Sequence, residues 1–235
     1  MKISLIIPTR KRYSQIQRIL LELTDCLGSD LELVIGIDED DESYDIDAIT
    51  RTNNQIKVVR TPKTKYLSNI YNVLFEYSCG DIVGYFSDDI SFVDTSVFDR
   101  VRSIFEERGN ILYYFSPCSD PYPQCVPDHA FITSKSVREL GFFALPNMEH
   151  GYIDHYIGRI YKETRLFYLD STNPILHLRD KLPEDEVYFE KSYLRDDDGM
   201  TCDDRDLIKF NKYCENYLEI HKSIIITLNN KEIKD

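Results

Sequence analysis

Residues 80–90 read GDIVGYFSDDI: an apolar run from Ile82 to Phe86, then Ser87, then two carboxylates side by side, Asp88 and Asp89. A short apolar run opened by glycine fits a buried strand, and adjacent anions repel unless water, a cation or hydrogen-bond donors take up their charge. The same grammar occurs upstream. Ile3 to Ile7 is an apolar run closed by Pro8, and Leu31 to Ile37 runs into Asp38-Glu39-Asp40-Asp41-Glu42. Between them Ile16, Ile19, Leu20 and Leu23 recur at helical spacing up to Gly28, and Leu67 to Tyr77 places Ile70, Val73, Leu74 and Tyr77 on one helical face. Gln55 to Val59 reads as another short strand. Strands and helices in alternation, with the strands almost continuously apolar, predict a doubly wound α/β sandwich whose sheet is mostly parallel and covered on both faces. Ligands of such sheets bind beyond the carboxyl ends of the strands. Pro8-Thr9-Arg10, Asp38-Glu39-Asp40 and Ser87-Asp88-Asp89 are therefore expected along one edge.

Beyond residue 90 the spacing predicts a helix over 96–107, an extended segment over 111–115 and a loop over 116–127 with Pro117, Pro121, Pro123 and Pro127. A strand over 130–133, a short helix over 134–140, a helix from about Gly151 to Tyr161, strands over 166–169 and 175–178, and a helix around 204–218 follow. Asp196-Asp197-Asp198-Gly199 superficially suggests a calcium loop, but counted from Leu194 the glycine is misplaced and no glutamate closes it.

Composition narrows the function classes. The 235 residues are 42% hydrophobic and 29% charged, the profile of an ordinary globular chain. With 41 acidic against 28 basic residues the formal charge is −13, which argues against nucleic acid or anionic lipid as a partner. Arg10-Lys11-Arg12 is a local basic patch, read either as an anion contact or as a solvated helix start. The six cysteines form no CxxC pair and no zinc-like spacing, so free, mostly buried thiols are expected. The N-terminal apolar run is too short for a signal-peptide core and no run approaches bilayer length, so a cytoplasmic location is expected.

SLIIPTRKR, VIGIDEDD and YFSDDI together resemble the corresponding segments of GT-A fold glycosyltransferases, especially the family 2 type, and Asn72, eight residues before Gly80, matches a spacing common in that family. The resemblance covers about residues 1–180 and implies a GT-A type (Rossmann-like), mostly parallel sheet sandwiched by helices, with a nucleotide-binding half at about 1–90 and a smaller, mixed acceptor half at about 91–180. Residues 181–235 are expected as a helical extension packed on the same domain.

The resemblance also implies chemistry. The family's DXD motif falls on Ser87-Asp88-Asp89, with a serine in place of the first acid. Asp89 is implied as a direct metal ligand and Asp88 as a ligand of the ribose or of a metal-bound water; solvated strand-end carboxylates are the plain alternative. Oxygen ligands suit Mg2+ or Mn2+, and a cation there would neutralise charge on a departing nucleoside diphosphate. His177 is a further metal or diphosphate ligand, favouring Mn2+, or else a core histidine. Pro8, Thr9, Arg10 and Asp38 fall to the nucleotide, uridine being favoured, and Lys65 to phosphate. Inverting transfer to a hydroxyl acceptor needs a base. Asp154 is the first choice and Glu149 the reserve, with helix capping the alternative for both, while His150 or His155 would orient substrate. The acceptor side offers Tyr113, Tyr114, Tyr122, Tyr152 and His129, and the proline loop would shape its cleft.

Two other functions fit the same sheet. A sugar nucleotidyltransferase would need a glycine-rich anion loop, and PTRKR contains no glycine. A non-catalytic nucleotide-sugar or carbohydrate-binding module is favoured by Ser87.

Overall fold

The structure, a computed structural model, describes residues 1–115, 129–172, 174–178 and 199–232. The strands are β1 (Ile3–Thr9), β2 (Leu31–Asp38), β3 (Ile56–Thr61), β4 (Ile82–Tyr85), β5 (Ile90–Phe92), β6 (Leu112–Phe115), β7 (Ala130–Thr133), β8 (Phe167–Asp170) and β9 (Ile175–His177). The helices are α1 (Tyr13–Leu23), α2 (Ile46–Thr52), α3 (Leu67–Phe75), α4 (Val97–Arg108), α5 (Ser134–Leu140), α6 (His155–Thr164) and α7 (Cys202–Glu232). Seven strands form one sheet in the order β3-β2-β1-β4-β7-β6-β8. β3, β2, β1 and β4 are parallel, β7 runs antiparallel to β4 and β6, and β8 is parallel to β6. β5 and β9 form a separate antiparallel pair.

The strands bury both faces, and the period-two alternation of side chains sorts their residues between two cores. Ile3, Leu5 and Ile7 of β1, Leu31 to Ile37 at alternate positions of β2, and Ile82 and Phe86 pack with Ile16, Ile19 and Leu23 of α1 and Val97, Val101 and Phe105 of α4. Ile6, Val34, Val83 and Tyr85 face the other way, onto Leu74 of α3, Val137 of α5, Tyr156 and Ile160 of α6, and Leu218 and Ile225 of α7. This is the double cover that the uninterrupted apolar runs predict.

The structure departs from the sequence reading at several elements. α6 begins at His155, four residues later than expected, and α7 runs on to Glu232 instead of ending near Leu218. α7 packs on α5 and α6. α2 and β5 were not anticipated. Of the four described cysteines, Cys79 is exposed and Cys26, Cys202 and Cys214 are partly buried, all as free thiols, so the expectation of mostly buried sulfur fails. The proline loop with Tyr122, the acidic run 196–198 with Leu194, and the expected boundary at residue 180 lie outside the described residues. No helix among the described residues is long and apolar enough to cross a membrane.

Candidate functional site

β1, β2 and β4 are neighbouring parallel strands, so Thr9, Asp38 and Ser87-Asp88-Asp89 emerge at the same edge. Thr9 and Asp88 meet directly, Thr9 Oγ1 donating to Asp88 Oδ2 at 2.6 Å. With its one proton used, Thr9 accepts from Tyr44 Oη at 2.7 Å, and Tyr44 Oη in turn accepts the Arg12 N–H at 2.9 Å. Arg12 Nη1 closes the circuit on Asp88 Oδ1 at 2.7 Å. Asp88 is 5% exposed; burial pushes its carboxyl up, and Arg12 and Thr9 pull it back only in part. Burial likewise pushes the Tyr44 phenol up to about 12, so it stays a donor. Asp88 thus organises the floor of the edge.

Asp89 is half-buried beside it and accepts from Ser87 Oγ. Its own backbone is fixed from outside the sheet. Leu178 N donates to Asp89 O at 2.7 Å, Ile90 pairs with His177, and Arg18 of α1 donates to the carbonyls of Asp88 and Ile90. Glu22 of α1 accepts from Ser91 Oγ and Phe92 N, both at 2.8 Å. The backbone of His177 is therefore drawn to the acidic turn; its side chain lies outside the described atoms.

Within the basic patch Arg12 is paired with Asp88, while Arg10 and Lys11 meet carboxylates at and just beyond the end of β2. Arg10 donates to Asp38, and to Asp40 at 2.6 and 3.3 Å, while Lys63 reaches Asp40 at 2.8 Å. These contacts hold the Asp40 carboxyl well below the usual carboxylate range and Arg10 above its own. Pro8 sits in β1 opposite Gly36. Lys11 adopts a left-handed φ of 56°, and its N–H meets Asp41 Oδ2 at 2.6 Å. A non-glycine residue in that region carries local strain, a feature that clusters at functional turns.

The second half of the site is the segment 142–154. Asn72 of α3 accepts from the N–H groups of Phe143 and Ala144 and donates to the Ala144 carbonyl, all at 2.8 Å. Ser68 holds both backbone groups of Met148, and Asn69 bonds Asn147. α3 follows the carboxyl end of β3, so these bonds fasten the segment to the same edge as Asp89. α7 grips it from the other side. Asp206, fully buried, accepts from the consecutive N–H groups of Glu149, His150 and Gly151 at 2.9 to 3.1 Å. Arg205 chelates the Glu149 carboxylate through Nε at 3.1 Å and Nη2 at 2.9 Å, and Lys65 adds a bond at 3.1 Å.

Asp154 occupies the position before α6, yet its side chain makes no cap bond and instead meets His155 Nδ1 at 2.9 Å. α6 leads to β8, which is parallel to β6 and, through β7, to β4. The start of α6 therefore lies toward the carboxyl edge. Glu149 is different: Arg205 first, then Lys65, hold its carboxyl down to about 2 against the opposing effect of burial. Such a carboxylate anchors cations and accepts protons poorly. His150 lies 3.5 Å from Asp203, and Tyr152, at a left-handed φ of 60°, packs on His155 and Phe210.

On the acceptor side Tyr113 is a correction. It is fully buried, and its hydroxyl donates to Asp170 at 2.5 Å, so its ring belongs to the core. His129 stacks on Phe86 with ring centroids 5.5 Å apart. The side chain of Tyr114 lies outside the described atoms. The sequence reading named Arg12 and Asn72 but not the Asp88 pairing of the one or the loop anchoring of the other. It missed Tyr44, Arg205 and Asp206, which carry no local motif.

No family model and no curated protein matches the chain. Solved structures do. S. aureus TarS 1-349 in complex with UDP superposes with a TM-score of 0.60 at 13% identity, over 73% of this chain and 58% of that one. The complex of the same protein with UDP-GlcNAc gives 0.58 at 14%, over 73% and 56%. The mannosyltransferase PcManGT from Pyrobaculum calidifontis, in complex with GDP-Man and Mn2+, gives 0.58 at 11%, over 97% of this chain and 73% of that one. The fold is of the GT-A glycosyltransferase type. At such identities the likeness is one of fold, and the chain spans less than two thirds of the TarS structures it matches.

Proposed function

We propose that this chain transfers a sugar from a nucleoside-diphosphate donor to a hydroxyl acceptor. The observation that carries the reading is the meeting of the β1, β2 and β4 ends, where Thr9, Arg10, Asp38, Asp88 and Asp89 line one edge of a GT-A-type sheet. Structures of that fold include complexes with UDP, UDP-GlcNAc, and GDP-Man with Mn2+.

A divalent cation fits the edge. Asp89 is a half-buried carboxylate beside a hydroxyl, a hard oxygen set of the kind Mg2+ and Mn2+ take. Asp89 would hold it, with His177 brought by the β5–β9 pairing, and when bound it supplies charge neutralisation for the leaving diphosphate. Asp88 keeps the floor in place through Thr9 and Arg12 and offers its remaining lone pairs to the ribose. Arg10 exchanges Asp40 for donor phosphate, Asp38 accepts from a base N–H, and Lys65 faces the diphosphate from the α3 side. UDP-sugar is the favoured donor.

Asp154 acts as base. It is free of a capping bond and held by His155, whereas Glu149 is occupied by Arg205 and Lys65. A single displacement assisted by one carboxylate gives inversion.

A second reading, a binding module without turnover, is favoured by Ser87 and by the burial of Asp88. Nucleotide release from UDP- and GDP-sugars with Mn2+ separates the two. The transferase releases nucleotide, and Asp154→Asn lowers the rate by about 100-fold or more while nucleotide affinity is kept. Donor protected from breakdown by the wild-type chain would establish the binding module.

A further inference from the structure

His150, Cys202 and Asp203 come together where α7 begins, with an imidazole nitrogen, a thiol sulfur and a carboxylate oxygen all within 4.8 Å of one another. His150 Nδ1 lies 3.5 Å from Asp203 Oδ1, and Cys202 Sγ lies 3.8 Å from the same oxygen. A tetrahedral zinc with bonds of ~2.0 Å to nitrogen and oxygen and ~2.3 Å to sulfur sets its ligand atoms about 3.3–3.6 Å apart. Two edges of the triangle are already near that size, and the third closes with a side-chain movement of roughly 1 Å.

The scaffold around the triangle is built. Asp206, one helical turn on from Cys202 and Asp203, pins the amides of residues 149–151, so the His150 backbone and the helix start are locked together. Thr201 and Asp204 cap α7 reciprocally, Asp204 N donating to Thr201 Oγ1 at 3.1 Å and Thr201 N to Asp204 Oδ2 at 3.0 Å. Gly151 makes room for the carboxylate: a Cβ there would stand 2.8 Å from Asp203 Oδ1.

We propose that His150, Cys202 and Asp203 form a three-ligand site for a zinc-class transition metal, with the fourth position open to water or an added ligand. The mixed sulfur, nitrogen and oxygen set selects zinc or cobalt over magnesium and calcium, the reverse of the hard oxygen set at Asp89. The site is independent of the sugar-transfer reading. It would fasten the 148–151 segment to α7 in addition to Asp206 and Arg205. Cysteine spacing could not reveal it, because His150 lies 52 positions before Cys202 (202 minus 150) and only one ligand is a cysteine.

Cobalt titration of the reduced full chain tests it. The expected result is one equivalent of Co2+ giving tetrahedral visible bands and a thiolate-to-cobalt charge-transfer absorption, displaced by zinc. Cys202→Ser should abolish the charge-transfer absorption, His150→Ala and Asp203→Ala should each weaken binding at least about 10-fold, and Asp89→Ala should leave the spectrum intact. Gly151→Ala keeps all three ligands but crowds the Asp203 carboxylate, and should weaken binding without changing the metal-free far-ultraviolet circular dichroism. A charge-transfer band that survives Cys202→Ser, a spectrum lost in Asp89→Ala, or no thiolate band in the wild-type chain would each overturn the proposal.

Discussion

Replacing Asp206 with alanine removes the acceptor for three consecutive backbone amides. Oδ2 receives Glu149, His150 and Gly151 at 2.9, 2.9 and 3.1 Å, while Oδ1 receives Glu149 at 3.0 Å and Lys209 Nζ at 3.4 Å. Hydrogen bonds to a charged group contribute about 1.5–3 kcal/mol each, and water refills part of a half-buried loop, so the expected loss is about 3–5 kcal/mol. Asparagine can keep its carbonyl oxygen at the Oδ2 position but turns an NH2 group toward the Glu149 amide and Lys209, for a loss of about 1–2 kcal/mol. Urea denaturation reads both. With an m value of about 2–3 kcal/mol/M the alanine midpoint falls by roughly 1–2.5 M and the asparagine midpoint by about 0.3–1 M, m being unchanged. Hydrogen exchange at residues 149–151 should accelerate in the same order. An Asp206→Ala chain within about 0.5 kcal/mol of wild type, with those amides still protected, would refute the view that this carboxylate clamps the segment leading to Asp154.

Other expectations follow from single contacts. Gly84→Ala places a Cβ 2.5 Å from the Phe86 ring and 2.7 Å from the Phe131 ring in the middle of β4; overpacking should cost about 1–3 kcal/mol or more, measurable as a lower melting temperature. Arg205 and Lys65 hold the Glu149 carboxyl down to about 2, well below the ordinary glutamate value. A depressed carboxylate contributes stability that is complete above its unfolded value and is lost as pH falls from about 4.5 toward 2. Arg205→Ala should flatten that part of the stability–pH curve, and an unchanged slope would count against the ion pair.

The outline of the sheet was legible because strands buried on both faces show up as continuous apolar runs, and helices with one buried face as a 3.6-residue period. β7 and α5 match the sequence reading residue for residue. β5 was missed because three residues carry no period, and its partner β9 lies more than eighty positions away. α2 fully buries only Ile49, with Ile46 half-buried against the same core. α7 outran its expected end because β-branched and polar residues after Leu218, among them Ile224 to Thr227, weaken the helical signal, while Ile225 and Leu228 still pack into the core. The acidic turn was visible in the sequence, but the division of labour within it was not. That Asp88 turns inward depends on Tyr44 and Arg12, and that Glu149 is bound by cations depends on a helix that begins 53 positions later (202 minus 149).

A nucleoside-diphosphate site completed by a cation at Asp89 is what the proposed transfer requires first. Calorimetric titration of the full chain with UDP and with GDP, each with Mn2+ and again with chelator, tests it most directly, alongside Asp89→Ala. The expected result is saturable binding of one nucleotide, UDP being favoured, that disappears with chelator and is lost in Asp89→Ala. Absence of binding by either nucleotide, or binding indifferent to both chelator and Asp89, would contradict it.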